Sequence, residues 1–318
     1  MKKLLTVLLI LALCCGFAAC GQDEAYTVGI VQQMPHVALD SAAQGFQDAL
    51  VAELGADNVR FLVHNAQGDP TTCTTIVNDL TTKKVDLILG NGTTALLAAA
   101  NSTATIPILG TSITEYGTAL GIDDFDGLVG GNVSGTSDLA PLDAQAALIP
   151  ELFPEAKTVA MLYCSSEPNS AYQIKVVSEW LTDNGFSVVN YPFFDSNEIS
   201  SVATAAAAAA DVIYIPTDNT AASCAEAING AVLDSGTPII GGDSGICRTC
   251  GIATLSIDYY DLGYTTGKMA AKVLTGEARI GEMPIAYAEE FTKVYNPVNC
   301  AELNIDTAAL EAMGYTSL

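Results

Sequence analysis

The sequence has few of the groups on which most catalytic and metal sites depend. Its 318 residues include two histidines, His36 and His64, and a single Trp. It contains no G-x-S-x-G motif, no H-x-x-x-H pair and only one C-x-x-C, so neither a serine hydrolase nor a common zinc site is indicated. We therefore expect a binding protein and not an enzyme, with no catalytic residues, no metal and no cofactor.

Positive charge is also scarce. The chain has 12 Lys and Arg against 36 Asp and Glu, a formal net charge of -24. Such a surface repels phosphate backbones and anionic lipid headgroups alike. Nucleic acid is therefore not an expected partner, and association with a membrane has to come from an attached lipid.

Apolar runs long enough to span a bilayer are absent, and the one at the start is short. Two lysines precede the run Leu4–Leu13, which leads to the small residues before Cys20, as in a cleaved export leader. The ending resembles a bacterial lipobox, in which Cys20 is lipidated; ordinary cleavage with a free Cys20 is the alternative. We expect a leader over residues 1–19 and a tether over 20–25, with the protein anchored to the outer face of the cytoplasmic membrane.

Six further cysteines follow the predicted anchor: Cys73, Cys164, Cys224, Cys247, Cys250 and Cys300. Export permits disulfides, but the sequence does not choose among the possible pairings. Cys247 and Cys250 form a C-x-x-C without the second ligand pair that a structural zinc site needs. Structural disulfides or inert thiols are the favoured interpretation, and thiol chemistry is the alternative.

From Tyr26 onward, short β-branched runs alternate with longer Ala-rich segments of helical period. Strands are predicted at Val28–Val31, Val59–Val63, Val85–Leu89 and Ile106–Leu109, and helices at Leu39–Leu54, Thr72–Leu80 and Thr93–Ala100. This alternation is typical of βαβ units around a parallel sheet.

The same rhythm restarts after Asp138. Strands are predicted at Thr158–Tyr163, Ser187–Tyr191, Val212–Ile215 and Ile239–Ile240, with helices at Leu139–Leu148, Asn169–Asn184, Ile199–Ala210 and Thr220–Ser235. The last part offers a strand at Ile252–Ser256, a helix at Tyr259–Thr275 and a strand around Tyr287–Val294. Two consecutive doubly wound units are therefore expected.

In open parallel sheets, ligands bind outside the carboxyl ends of the strands. The loops expected there are rich in hydroxyls and amides: Gly90–Thr94, Gly110–Thr114, Cys164–Ser170, Pro216–Thr220 and Gly241–Gly245. Gly90–Ala95 matches the G-x-G-x-x-A fingerprint of dinucleotide sites, but it follows the third strand of its unit and not the first. A helix N-terminus with two hydroxyls also suits a carboxylate, and that interpretation needs no cofactor.

Five segments in order resemble the TrpX-type family of ABC-transporter substrate-binding proteins, whose members are associated with aromatic amino acids. The segments are Gly29–Gln32 with His36 and Ala38–Asp40, Gly131–Gly135, Tyr163 with Ser165–Glu167 and Asn169–Ser170, Pro216–Thr220, and Ile257–Tyr264. The sequence departs from the family at Gln33–Pro35, where an apolar and acidic stretch is more usual, and at Gly242–Gly245.

The resemblance implies a type I periplasmic-binding-protein fold, with two doubly wound parallel-sheet lobes joined by three hinge crossings. The implied crossings lie near Ser134–Asp138, Ser256–Tyr259 and Ala286–Glu290. The lobes would then comprise residues 26–136 plus 258–286 and residues 137–257 plus 287–318. The resemblance also implies a monomer whose lobes close around a ligand, and whose closed form is recognised by importer permease subunits.

The ligand hypothesis is an aromatic amino acid held as a zwitterion between the lobes. Its carboxylate would lie on Thr93 and the first N–H groups of that helix, near Thr111 and Ser112. Its ammonium would meet a second-lobe carboxylate, Asp243 in preference to Asp218 or Glu167. Further polar contacts are expected from Gln32, His36, Ser165, Asn169 and Asn219.

Other functions fit the same sequence features. A ligand-sensing receptor lipoprotein would share all of them, and so would a binding protein for another amino acid, a sugar or a nucleoside.

Overall fold

The computed structural model describes residues 25–318, which form two α/β lobes, each around its own sheet. The predicted leader, Cys20 and most of the predicted tether lie outside these residues. No helix within the described range combines the length and the apolar character needed to cross a membrane.

The first lobe is built on a six-stranded sheet. Its strands are β1 (Tyr26–Gln32), β2 (Val59–Asn65), β3 (Leu87–Asn91), β4 (Ile108–Ile113), β5 (Val133–Ser137) and β11 (Ala286–Tyr287). Its helices are α1 (Val37–Leu54), α2 (Pro70–Thr82), α3 (Thr93–Ser102), α4 (Tyr116–Leu120) and α11 (Tyr259–Leu274). The strand order is β11-β5-β4-β3-β1-β2, and all neighbouring strands are parallel.

The second lobe repeats this plan with an extended edge. Its strands are β6 (Thr158–Cys164), β7 (Ser187–Phe193), β8 (Val212–Ile215), β9 (Ile239–Gly241), β10 (Ala253–Ser256), β12 (Thr292–Tyr295) and β13 (Thr316–Ser317). Its helices are α5 (Leu142–Leu152), α6 (Pro168–Asp183), α7 (Ile199–Ala209), α8 (Asn219–Ser223), α9 (Ala225–Val232), α10 (Ser244–Thr249), α12 (Pro297–Glu302) and α13 (Thr307–Ala312). The order is β13-β12-β10-β9-β8-β6-β7, with β12 antiparallel to β10.

The chain passes between the two sheets three times: after β5, between β10 and α11, and between β11 and β12. The predicted fold class is therefore confirmed. Ser137 and Tyr287 still pair within the first sheet, one residue beyond the boundaries predicted for the lobes.

Local sequence explains where several helices begin and end. Asp69 accepts a hydrogen bond from the Thr72 N–H, and Pro70 occupies the first turn of α2, where its missing N–H costs nothing. The α6 helix also begins at a proline, Pro168, and Gly185 follows it with φ of 87°. That conformation is one that glycine adopts without strain, so the helix ends there.

Helices α1 and α11 pack unusually closely on one face of the first sheet. A Cβ on Gly45 would lie 2.1 Å from the Tyr260 carbonyl oxygen, and a Cβ on Gly263 would lie 1.9 Å from that of Ala42. Glycine is required at both positions because any side chain would push the helices apart. This contact fixes the start of α11, and hence Tyr259, at the crossing between the lobes.

Two sequence predictions of secondary structure were wrong. Thr220–Ser235 is not one helix, because α8 ends at Ser223 and α9 begins after Cys224, followed by a 3-10 turn at Leu233–Ser235. Tyr287–Val294 is not one strand, because the chain leaves the first sheet after Tyr287 and enters the second at Thr292. In both places tertiary contacts override a locally continuous pattern.

Strand β5 was not predicted, although all five of its residues are buried. Its sequence, Val-Ser-Gly-Thr-Ser, is too polar to be recognised as a core strand. The hydroxyls find partners inside the lobe: Ser134 Oγ donates to the Met283 carbonyl oxygen at 2.9 Å, and Thr136 Oγ1 lies 2.8 Å from Thr266 Oγ1. These hydrogen bonds remove the penalty for burying them.

All six cysteines from Cys73 to Cys300 are free thiols, and five of them are buried. Of the two interpretations favoured from sequence, the structure shows thiols and no disulfide among these six. Burial raises the pKa of Cys73 and of Cys300 to about 11, which keeps them protonated and unreactive at neutral pH.

Candidate functional site

The carboxyl ends of the strands in the two sheets face each other across an interlobe cleft. At its centre is a small cavity with residues from both lobes and from the crossings on its walls. The cavity is lined by His36, Leu39, Ser112, Thr114, Asp138, Asn169, Thr217, Asp218, Asn219, Asp243 and Tyr259. Both sheets have the doubly wound order in which ligands bind at this edge.

Asp138 and Tyr259 lie at the crossings and line the cavity. The Tyr259 hydroxyl donates to Asp138 Oδ2 at 3.1 Å, whereas Asp138 Oδ1 is buried and has no hydrogen-bond partner within the protein. Burial raises the pKa of Asp138 to about 6, and the nearby Thr114 hydroxyl and the hydrogen bond from Tyr259 oppose the rise. A buried carboxylate oxygen without a partner is costly and indicates a missing donor.

Ser112 lies where β4 becomes irregular. The register between β4 and β5 shifts between Gly110 and Ile113, and Ser112 has φ of 57°. A left-handed conformation is strained for serine, and a bulge of this kind re-aims a side chain beside a site. The Ser112 Oγ is buried without a partner and lines the cavity.

Glu167 organises the opposing rim of the second lobe. Its Oε1 accepts hydrogen bonds from the Thr220 N–H and hydroxyl at 2.8 and 2.7 Å. Its Oε2 accepts from the Asn219 N–H and Nδ2 at 3.1 and 2.7 Å and from Asn169 Nδ2 at 3.2 Å. Both carboxylate oxygens are therefore used within the lobe, where they hold the start of α8 against the start of α6.

Asp218 is likewise satisfied inside its own lobe. Its Oδ1 accepts from the Ala221 N–H at 2.8 Å and thereby caps α8. Its Oδ2 accepts from the Cys164 N–H at 2.6 Å and from Ser170 Oγ at 2.7 Å. Burial, and next the charge of Glu167, raise the pKa of Asp218, and these hydrogen bonds oppose the rise.

Asp243 has one oxygen in use. Its Oδ1 accepts from the Ile246 N–H at 2.9 Å and caps α10. Gln145 fixes the preceding turn, because its Nε2 donates to the Gly242 carbonyl oxygen at 2.9 Å. Burial raises the pKa of Asp243, while the hydrogen bond from Ile246 and the nearby His36 oppose the rise.

A direct hydrogen bond joins the lobes across the cleft. His36 Nε2 lies 3.1 Å from Asn219 Oδ1, between residues 183 positions apart in sequence. Since Asn219 Nδ2 donates to Glu167, its Oδ1 is free to accept, so His36 Nε2 is the donor. The contact ties the start of α1 to the start of α8.

Several of the buried polar atoms without a partner belong to residues that line this cavity. Within residues 25–318, seven buried side-chain polar atoms have no hydrogen-bond partner, and three of them line it: Ser112 Oγ, Asp138 Oδ1 and Asn169 Oδ1. All three can accept a hydrogen bond, and two can only accept. A ligand ammonium has three donors to offer such acceptors.

The free volume of the cavity is about 10 Å³. That is room for about one water molecule and far below the roughly 300–1,000 Å³ of small-molecule sites. A ligand of amino-acid size can therefore enter only when the lobes move apart.

The structure brings six of the eleven residues predicted for the ligand together at the cavity: His36, Ser112, Asn169, Asp218, Asn219 and Asp243. The other five lie nearby but do not line it: Gln32, Thr93, Thr111, Ser165 and Glu167. Gln32 Nε2 donates to Asp40, Thr111 Oγ1 lies 3.3 Å from Thr136 Oγ1, and Ser165 Oγ donates to the Phe193 carbonyl oxygen.

One N–H group at the helix start predicted to receive a carboxylate already has a partner within the protein. Thr93 is 2% exposed, and the next N–H, that of Thr94, donates to Gln33 Oε1 at 3.0 Å. The dinucleotide-like segment therefore ends in a helix capped by this protein's own amide. No cluster of three or more metal-ligating side chains was found between residues 25 and 318.

Sequence reasoning missed five residues of the lining: Leu39, Thr114, Asp138, Thr217 and Tyr259. Asp138 and Tyr259 were placed at crossings and were given no role in binding. A usable signal existed for Asp138, since a carboxylate at a crossing between two lobes lies beside any ligand held between them.

Comparison with known proteins places this geometry in a family context. Residues 27–310 match the family model of ABC transporter substrate binding proteins. The Tyrosine-binding protein of Clostridioides difficile (strain R20291) is 31% identical over 290 residues, which cover 91% of this chain and 84% of that protein.

Two solved structures of similar sequence identity differ in how well they superpose on this chain. An ABC domain in complex with L-Trp from Streptococcus pneumonia is 31% identical, covers 93% of this chain and 100% of its own, and has a TM-score of 0.87. The ligand-free, open structure of a substrate binding protein with adhesive properties from Clostridium difficile is 32% identical, covers 92% and 99%, and has a TM-score of 0.69. At nearly equal identity, the chain superposes better on the complex than on the open structure.

Proposed function

The chain belongs to the ABC transporter substrate-binding protein family, and we propose that it captures an aromatic amino acid between its lobes outside the cell. The family is one of solute-binding proteins and not of enzymes. In this proposal the protein delivers the solute to the permease subunits of an importer, acts as a monomer, and is held at the membrane by a lipid on Cys20.

One observation carries the ligand assignment: Asp138 and Asn169, each with a buried acceptor oxygen that has no hydrogen-bond partner, line the same cavity. A primary ammonium supplies the missing donors and offsets the charge of Asp138 and Asp243. Leu39 and Tyr259 supply apolar surface in the same lining. The aromatic preference draws on the relatives, one called tyrosine-binding and one solved with L-Trp.

The mechanism is lobe closure around the solute. A cavity of about 10 Å³ requires the lobes to open for entry, and the hydrogen bond from His36 to Asn219 stabilises the closed form. Ligand contacts from both rims would add to this bond, so binding shifts the population toward closure.

The ligand assignment is tested by thermal unfolding of the purified protein with each of the standard amino acids, with sugars and with nucleosides. Tryptophan, tyrosine or phenylalanine at millimolar concentration should raise the melting temperature, because a ligand that binds only the folded state stabilises it. A shift with a sugar or nucleoside and none with any amino acid would reject the assignment and leave the fold intact.

The anchor and the transport role are tested in the source cell. Cys20→Ser should abolish incorporation of labelled fatty acid and release the protein from the membrane fraction. Deletion of the gene should reduce uptake of the labelled amino acid. Unchanged uptake would favour the receptor alternative.

A further inference from the structure

Positive charge is unevenly distributed over this acidic protein. Lys2, Lys3, Asp23 and Glu24 precede the described residues, which therefore hold 10 Lys and Arg against 34 Asp and Glu. Six of these 10 cations belong to the first lobe, and all six are exposed: Arg60, Lys83, Lys84, Lys268, Lys272 and Arg279.

The chain enters the first lobe beside some of these cations. Strands β1, β2 and β3 are parallel and begin at the same edge of the first sheet, where Tyr26 pairs with Val59. Arg60 donates a hydrogen bond to Thr27 Oγ1 at 3.1 Å, and the Thr27 N–H donates to Asp86 Oδ2 at 2.7 Å. The residues that lead into β2 and β3 therefore lie at the point where the chain enters the fold.

Helices α1 and α11 end at the same edge. Leu54 at the end of α1 and Leu274 at the end of α11 pack in one apolar cluster with Val59, the first residue of β2. The last two turns of α11 carry Lys268 and Lys272. These two lysines are thereby brought to the edge where the chain enters.

This edge, the entry pole, comprises residues 53–60, 79–86 and 268–282. These stretches hold all six cations of the first lobe, together with six carboxylates: Glu53, Asp57, Asp79, Asp86, Glu277 and Glu282. The entry pole is therefore neutral overall, whereas the rest of residues 25–318 holds 4 cations against 28 carboxylates.

Most cations of the entry pole are available to an outside partner. Lys83 pairs with Asp79, and Arg279 pairs with Glu282. The ion pairs found between residues 25 and 318 leave the other four without a partner: Arg60, Lys84, Lys268 and Lys272.

The corresponding edge of the second lobe has the opposite character. The stretches that lead into β6, β7, β8 and β9 carry Glu155, Asp183, Asp211 and Asp234 with one cation, Lys157. An anionic surface would therefore repel this edge more strongly than the entry pole.

The predicted anchor lies close to the entry pole along the chain. Cys20 precedes Tyr26 by six positions, a stretch that spans no more than about 20 Å when fully extended. A lipid on Cys20 would hold the entry pole within that distance of the phospholipid headgroups. Anionic headgroups would attract its unpaired cations and repel the acidic remainder of the protein.

We propose that the entry pole rests on the anionic phospholipid headgroups of the membrane, with Arg60, Lys84, Lys268 and Lys272 as its contacts. The strands of the first sheet run from the entry pole toward the cleft, so this contact directs the cleft and the second lobe away from the membrane. The inference rests on the proposed function only for the lipid on Cys20, and it does not depend on the ligand.

The test is hydrogen exchange, read by mass spectrometry, of the mature lipoprotein reconstituted in vesicles. One set of vesicles contains phosphatidylcholine alone, and the other an equal mixture of phosphatidylcholine and phosphatidylglycerol. Amides of the entry pole should exchange at least about threefold more slowly on the mixed vesicles, because contact with the headgroups restricts their opening to water. Sodium chloride at about 1 M should remove the difference, because the Debye length is then about 3 Å.

A double variant tests the two lysines of α11. Lys268→Glu combined with Lys272→Glu should remove most of the difference between the two sets of vesicles. Lys157→Glu combined with Lys175→Glu, at exposed lysines of the second lobe, is the matched control and should preserve the difference. Thermal unfolding in detergent verifies that both double variants are folded.

The outcomes separate this inference from the proposed function. Equal exchange on the two sets of vesicles, or an undiminished difference in the folded Lys268→Glu and Lys272→Glu protein, would overturn the inference and leave the anchor standing. Absence of fatty acid on Cys20 would overturn the anchor, and this inference with it. Failure of every amino acid to bind would overturn the ligand assignment alone.

Discussion

The two rims of the cleft belong to sheets whose central strands follow the same order, but the rims are stabilised in different ways. In the second lobe, all the carboxylate oxygens of Glu167 and Asp218 accept hydrogen bonds from groups of that lobe. In the first lobe and at the crossing, Ser112 is strained and Asp138 keeps an unpaired oxygen. A carboxylate at a cleft is thus a binding group only where its own lobe leaves it unsatisfied.

The largest expected effect concerns the rim of the second lobe, which Glu167 stabilises through hydrogen bonds within that lobe. Glu167→Ala should lower the free energy of unfolding by about 3 kcal/mol or more, because it leaves the hydrogen-bond donors of Asn219 and Thr220 without their acceptor. The midpoint of urea denaturation measures this loss.

Glu179→Ala is the matched control, since Glu179 is exposed on the same helix, α6. It should change stability by no more than about 0.5 kcal/mol. If the two variants were equally stable, Glu167 would not stabilise the rim and the comparison between the lobes would fail.

An intermediate effect sharpens the role of Asp138. With its pKa raised to about 6 from an ordinary value of 3.8, the folded protein binds this proton more tightly than the unfolded chain does. The free energy of unfolding without ligand should therefore fall between about pH 4 and pH 6 and stay lower above, by about 3 kcal/mol from this group.

Asp138→Asn should remove the part of the fall that is due to Asp138, while the part due to Asp218 and Asp243 remains. The variant should therefore be the more stable protein at pH 8, and it should lose most of its affinity for an ammonium ligand. Denaturation curves at pH 4 and pH 8, with and without tryptophan, measure both effects. Asp234→Asn, at an exposed position, should reproduce the parent in both. An Asp138→Asn protein with the full pH dependence of the parent would show that Asp138 does not contribute to it.

The smallest expected effect concerns the strained first rim. Ser112→Gly should raise stability by about 1 kcal/mol, because glycine adopts the left-handed conformation without strain. It should also weaken ligand binding about tenfold through loss of the hydroxyl. A gain in stability in unfolding experiments together with a loss of affinity in titrations would indicate that the backbone strain at Ser112 is retained for binding.

Lys84→Gly separates the two contributions. Lys84 has φ of 53° but is exposed and outside the cleft. It should gain a similar stability with no change in affinity. Equal affinities for Ser112→Gly and its parent would remove Ser112 from the site.

Local chemistry explains what sequence reasoning could find at the site. Asp218 and Asp243 each precede a helix and cap it three residues on, so their position at strand ends followed from order along the chain. Their role as helix caps could also be predicted from the sequence. Whether a carboxylate oxygen remained free for a ligand could not be predicted. That depends on partners such as Cys164 and Ser170, which lie 54 and 48 residues from Asp218.

The sequence alone determined the two α/β units, the order of strands and helices along the chain, and the loops that bear polar groups. The reason is that hydrophobic periodicity and helix caps depend on residues only a few positions apart. Only the tertiary structure decided that Asp138 keeps a buried oxygen without a partner, that Gln33 accepts a hydrogen bond from the start of α3, and that His36 is hydrogen-bonded to Asn219. Those facts depend on contacts between residues far apart in the chain, and burial and hydrogen-bond satisfaction are properties of packed surroundings that no short segment contains.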